Sequence, residues 1–137
     1  MKILLVAGAR PNFVKIAPII RELEAKRAIQ GANNLSWKLV HTEQHYDYKM
    51  SKVFFNELEI PEPDYFLNSG SGTHAVQTAK IMVEFEKVCR EEPPDIVLVV
   101  GDVNSTLACA IVAKKQGVMI AHVEAGLRSG DMSMPEE

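Results

Sequence analysis

Cysteine is scarce. Cys89 and Cys109 are the two in 137 residues, and both fall in helix-like stretches far apart in the sequence, so each reads as a small buried hydrophobe with a free thiol rather than half of a disulfide. That usage suits a reducing cytosol. Long apolar runs are also missing: the longest near the start, Ile3 to Ala9, is too short for a signal peptide with its flanks, and no later run approaches membrane length. A soluble, cytoplasmic protein is expected. There is no basic block, since 15 Lys and Arg stand against 18 Asp and Glu for a formal net charge of −3; nothing here neutralises a phosphate backbone, and nucleic acid is not an expected partner. No Gly-x-Gly-x-x-Gly follows the first apolar segment and no Gly-Lys-Ser/Thr occurs, which removes the usual dinucleotide and Walker sites. With no Asp-x-Asp pair, a metal site ranks below a purely organic one. Neither cofactor nor metal is expected.

What is present is ordinary for a globular chain: 47% apolar and 24% charged residues, enough for one domain with a real core. Lys2 to Ala7 is a continuous apolar run ending at Gly8, the mark of a strand buried on both faces. Phe13, Ile16, Ala17, Ile20 and Leu23 then recur at helical spacing, so a helix is predicted from Asn12 to about Lys26, bent at Pro18. A second strand is predicted at Trp37 to His41, a helix from about Tyr46 to Leu58, and a brief strand at Tyr65 to Leu67. A third helix should bury Ala75, Thr78, Met82, Phe85 and Cys89. Asp95 to Val100, Val103 to Gln116 and Val118 to Val123 complete a strand, helix and strand, with Lys114, Lys115 and Gly117 at the helix end. Alternating elements with unalternated strands argue an α/β, doubly wound parallel sheet of Rossmann-like type, strand order 3-2-1-4-5. Ligands of such sheets bind beyond the carboxyl ends of the strands where the winding reverses, here at the loops Gly8 to Asn12 and Gly101 to Asn104.

Those loops carry the candidate chemistry. Arg10 and Lys15 lie at the amino end of the first helix, where like charge repels the helix dipole unless an anion such as phosphate sits between them; two solvated side chains are the plainer alternative. Asp102 ends the fourth strand, either as a carboxylate in the crevice or as a helix N-cap. His122 and Glu124 alternate along the fifth strand and should share a face. An acid at that apolar strand end needs a partner or a task, and Arg128 is the simple ion-pair candidate. Asp131, Glu136 and Glu137 read by composition as a solvated acidic tail.

Taken together, Gly8-Ala9-Arg10-Pro11 with Lys15, Thr42-Glu43-Gln44-His45, Gly101-Asp102, His122-Val123-Glu124-Ala125-Gly126-Leu127-Arg128 and Pro135-Glu136-Glu137 resemble, in order and spacing, the UDP-N-acetylglucosamine 2-epimerases of the non-hydrolysing type. HVEAGLR is the most specific of these motifs, and the resemblance spans essentially the whole chain. It implies one half of a two-domain glycosyltransferase-B-type fold, residues 1–137 being the amino-terminal Rossmann-like domain and a carboxyl-terminal nucleotide-binding domain being absent. It implies interconversion of UDP-N-acetylglucosamine and UDP-N-acetylmannosamine without a redox cofactor, in the service of cell-envelope polysaccharides. By the same resemblance Asp102, Glu124 and Glu136 are the catalytic carboxylates, and Arg10, Lys15, Gln44, His45, His122 and Arg128 bind substrate. Gln44 and His45 could instead contact a second, regulatory nucleotide sugar. A homodimer is implied for the full-length protein, and an inactive fragment for this chain alone. A hydrolysing epimerase or a non-catalytic nucleotide-sugar-binding domain would look similar over these residues. The chain departs from many bacterial members in carrying Val103-Asn104-Ser105 where they have threonines.

Overall fold

The computed structural model describes residues 1–30, 34–43 and 52–134. Five strands form one sheet: β1 (Lys2–Ala7), β2 (Ser36–His41), β3 (Tyr65–Phe66), β4 (Ile96–Val100) and β5 (Met119–Val123). Their spatial order is β3-β2-β1-β4-β5, as the sequence predicts, and every pairing is parallel. Parallel neighbours require crossovers. Among the described residues these contain the helices α1 (Arg10–Gln30), α2 (Lys52–Glu57), α3 (His74–Glu91) and α4 (Asn104–Lys115). The doubly wound α/β architecture is thus the one expected.

Strand alternation splits the core in two. Ile3, Leu5 and Ala7 of β1 join Trp37 and Leu39 of β2 beneath Phe13, Ile16 and Ile20 of α1 and Phe55 of α2. Leu4 and Val6 point the other way, with Val97 and Val99, against Ile81, Phe85 and Val88 of α3 and Ala108, Cys109 and Val112 of α4. Because both faces are covered, β1 shows no polar alternation. Large side chains with no exposed surface, such as Phe85, each contribute about 1.5–3 kcal/mol through burial. Both cysteines are buried free thiols. Burial pushes the Cys89 thiol up to about 11, and raises that of Cys109 well above the ordinary thiol range. Among the described residues no helix is long and apolar enough to cross a membrane.

Several expected boundaries move. The first helix begins at Arg10, not Asn12, and extends to Gln30 rather than about Lys26. Pro11 fits its second position, where no N–H is needed, so Lys15 falls in the second turn instead of the first. Pro18 stays inside one helix, on its exposed side, at the cost of one backbone bond. The buried stripe of α3 is Ile81, Phe85, Val88 and Cys89; Ala75 of the expected stripe is exposed, because it lies in the first turn, beyond the reach of the sheet. The helix expected from Tyr46 is described from Lys52 on, residues 44–51 lying outside the described residues.

At the amino edge of the sheet, acids serve the scaffold. Asp95 accepts the Lys2 backbone N–H at 2.7 Å. Asp64 accepts from Leu39 N–H at 2.8 Å and from Lys38 Nζ at 2.8 Å. The Asp64 carboxylate raises the Lys38 ammonium above its ordinary value, and Lys2 holds Glu92 below the usual carboxylate range. The opposite edge is left for chemistry.

Candidate active site

At the carboxyl ends of β1 and β4 the winding reverses, and there the chain ties its own loops together. Asn12 is 3% exposed. Its Oδ1 accepts from Gly8 and Ala9 N–H at 3.3 and 3.0 Å, and its Nδ2 donates to Val100 O at 3.3 Å, so one side chain closes the first turn and fastens it to β4. Thr42 and Ser105 share a hydroxyl bond of 2.9 Å, and Ser69 Oγ donates to Thr42 O at 2.6 Å. This hydroxyl floor presses on Gly8: a Cβ there would stand 2.2 Å from Ser105 Oγ and 2.5 Å from Thr42 Oγ1. Only a residue without a side chain fits.

Above the floor opens a cleft of about 300 Å3, lined by Gly8, Ala9, Thr42, Glu43, Ser69, His74, Gln77, Ile81 and Asp102 through Ser105. Its far wall is the β4–α4 turn. Gly101 there takes the left-handed φ of 71°, its backbone beside Asn12 Nδ2 and Lys15 Nζ, and its carbonyl lies 2.7 Å from His122 Nε2. Asp102 is exposed on the cleft. It is not the N-cap of α4; Val103 holds that position and offers no side-chain cap bond. With Asn104 and Ser105 engaged elsewhere, the amino end of α4 opens toward the cleft with its partial positive charge.

Lys15 and Glu124, 109 positions apart, meet as an ion pair and hydrogen bond. This brings together a predicted cation and a predicted carboxylate, and Glu124 takes this partner rather than Arg128, the simple ion-pair alternative. Arg128 Nη1 instead donates to the carbonyls of Ala125 and Leu127, at 3.1 and 2.7 Å. The reason is local. β5 ends at Val123, and Glu124 turns through a left-handed φ of 68°, which breaks strand alternation and delivers its carboxylate to Lys15 on the neighbouring helix. A non-glycine residue held there stores of order 1–3 kcal/mol of strain, a feature that gathers at functional sites. The expectation that His122 and Glu124 share a sheet face does not extend past the strand end. Arg10 is the first residue of α1 and exposed. Gln44, His45 and Glu136 lie outside the described residues.

His74 and Gln77, absent from the sequence-based candidates, also line the cleft. The signal was the Gly/Ser-rich loop Asn68 to Thr73 after β3: loops after β2 and β3 reach the same carboxyl edge as the two at the winding reversal. Among the described residues no group of three or more His, Cys, Asp and Glu is placed to hold a metal ion.

The family model for UDP-N-acetylglucosamine 2-epimerase matches residues 27–137. The chain belongs to this family. Along its full length it is 51% identical to the UDP-N-acetylglucosamine 2-epimerase of Methanocaldococcus jannaschii, covering 36% of that protein. It is 50% identical, over 100% of the chain and 37% of the relative, to the UDP-2,3-diacetamido-2,3-dideoxy-D-glucuronate 2-epimerase of Pseudomonas aeruginosa. A crystal structure of the M. jannaschii UDP-GlcNAc 2-epimerase in complex with UDP-GlcNAc and UDP superimposes with a TM-score of 0.87, covering 100% of this chain and 36% of that one. The chain therefore spans about a third of the length of these epimerases. Arg10 and Lys15 precede the stretch matched by the family model, yet both fall within the full-length alignment to the M. jannaschii epimerase.

Proposed function

We propose that this chain is the amino-terminal, Rossmann-like half of a two-domain glycosyltransferase-B-type enzyme that inverts C2 of UDP-N-acetylglucosamine to give UDP-N-acetylmannosamine. The observation that carries the reading is the Lys15–Glu124 ion pair beside Gly101, with Asp102, the next residue along the chain, on the adjoining cleft. A C2 proton with no adjacent carbonyl leaves only as the C1–O bond breaks. The electron pair of the C2–H bond becomes the C1–C2 double bond, UDP departs with the C1–O pair, and a carboxylate takes the proton. Return of UDP and of a proton to the opposite face of C2 completes the inversion with no net redox change. Lys15, Arg10 and the amino end of α4 meet the charge developing on the diphosphate; Asp102, Glu124 and Glu136 carry the protons. Gln44, His45, His122 and Arg128 complete the polar surround of the substrate.

The reading extends to the full-length protein as a cytoplasmic homodimer using no cofactor; this chain alone binds nucleotide weakly and turns over nothing. A second substrate, UDP-2,3-diacetamido-2,3-dideoxy-D-glucuronate, is favoured by the 50% identity to the Pseudomonas enzyme, and the same chemistry at C2 serves it. Full-length protein incubated with each nucleotide sugar in D2O and followed by proton NMR decides. Epimerisation yields the C2 epimer, still UDP-linked and carrying deuterium at C2. Free N-acetylmannosamine and UDP would establish the hydrolysing reaction instead, and binding without turnover a non-catalytic domain.

A further inference from the structure

We propose that His74 is a ligand-binding residue of the cleft, held in one tautomer by a relay of amides so that its Nε2–H is offered to an oxygen of the bound nucleotide sugar; this rests on the functional reading above. The relay begins at a group whose role is fixed. Gly70 O can only accept, and Gln77 Nε2 donates to it at 3.4 Å, which orients the Gln77 amide and turns its Oε1 toward Asn104. Asn104 Nδ2 donates to that oxygen at 3.0 Å, which orients the second amide. The other hydrogen of the same nitrogen faces His74 Nδ1 at 3.0 Å. An amide nitrogen has no lone pair to give, so Nδ1 must accept, and the ring proton of the neutral imidazole resides on Nε2. Each orientation follows from the one before it, back to a backbone carbonyl.

The cleft gives that proton a use. The Ser69 hydroxyl is spent on a carbonyl and one of the Thr42 and Ser105 hydroxyls on the other, which leaves a single hydroxyl hydrogen among the three, and an ionised Asp102 only accepts. His74 lines this wall, and its Nε2–H supplies a donor there. Sugar hydroxyls, an acetamido carbonyl and phosphate oxygens all accept such a bond. His74 opens α3 next to its N-cap Thr73 and is exposed, so replacing it removes no core packing.

The test uses the full-length protein, UDP-N-acetylglucosamine, and three variants. His74→Ala should raise KM about tenfold with kcat within about twofold, the effect of one hydrogen bond made equally in ground and transition states. His74→Gln, whose Nε2 restores a donor at similar reach, should return KM to within about threefold of wild type. Asn104→Asp turns the relay's donor into an acceptor; it should move the ring proton to Nδ1, visible in the 15N shifts of His74, and raise KM as His74→Ala does. Wild-type KM in His74→Ala, or a wild-type His74 whose 15N shifts place the proton on Nδ1, would overturn the proposal. If the wild-type protein binds UDP-N-acetylglucosamine by calorimetry without turning it over, the catalytic reading fails and the variants' affinities decide this one on the same scale. If it neither binds nor reacts, both fail.

Discussion

Replacing Lys15 by methionine keeps the aliphatic stem and removes the ammonium, and so separates what the Lys15–Glu124 pair does for folding from what it does for chemistry. The two side chains are 35% and 32% exposed, and ion pairs this accessible contribute about 0–1 kcal/mol. Lys15 lies in the second turn of α1, beyond the first-turn reach of the helix dipole, so removing its charge returns little there. The net loss in stability is therefore below about 1 kcal/mol, a fall in Tm of no more than about 4 °C for a domain of this size. Transition-state stabilisation scales differently. Loss of one preorganised partner to developing charge lowers kcat by about 100- to 1,000-fold, or roughly 3–4 kcal/mol. In the full-length protein, Lys15→Met should melt within about 4 °C of wild type by calorimetry while kcat for C2 epimerisation falls by at least about 100-fold. A kcat within about threefold of wild type, or a Tm lowered by more than about 10 °C, would show that the pair is scaffold and refute the reasoning.

Gly8→Ala should destabilise by about 1–3 kcal/mol in urea unfolding, because the added methyl meets the Thr42 and Ser105 hydroxyls at 2.5 and 2.2 Å; stability equal to wild type would show that the floor yields freely. Cys89 and Cys109, buried and raised, should resist a disulfide reagent at pH 8 in the native state and both react in denaturant; rapid native labelling would contradict their burial. The same shift has a sign in stability. Unfolded thiols lose their protons near 9.0 whereas folded Cys89 keeps its own to about 11, so the unfolded state binds fewer protons in that window and stability should fall as pH rises through it. Replacing Cys89 by alanine should flatten that fall.

The fold was legible because the strands are apolar without alternation and the helices between them carry apolar residues at helical spacing, a pattern that admits few topologies. The gathering of Lys15, Glu124 and Asp102 at one sheet end followed from topology, since Glu124 and Asp102 sit just beyond the carboxyl ends of β5 and β4 and Lys15 near the start of the helix that follows β1. Their pairing did not. Glu124 reaches Lys15 rather than Arg128 through a left-handed backbone, and no residue type announces that an acid will adopt one. The N-cap at Val103 was obscured because Asp102 looks like a cap, and the start of α1 at Arg10 because Gly8 to Asn12 reads as a loop; Asn12 accepts the N–H groups of Gly8 and Ala9 from inside the helix. His74 was invisible for another reason: a histidine after a glycine-rich loop acquires meaning only when Asn104, 30 positions later, is found against it.

The central claim is that cationic and acidic side chains at this end of the sheet act on one sugar diphosphate, and solvent exchange at C2 reads it most directly. In full-length protein given UDP-N-acetylglucosamine in D2O, Asp102→Asn and Glu124→Gln should each slow deuterium entry at C2 by at least about 100-fold while leaving the protein folded. Wild-type exchange rates in both variants would contradict the account.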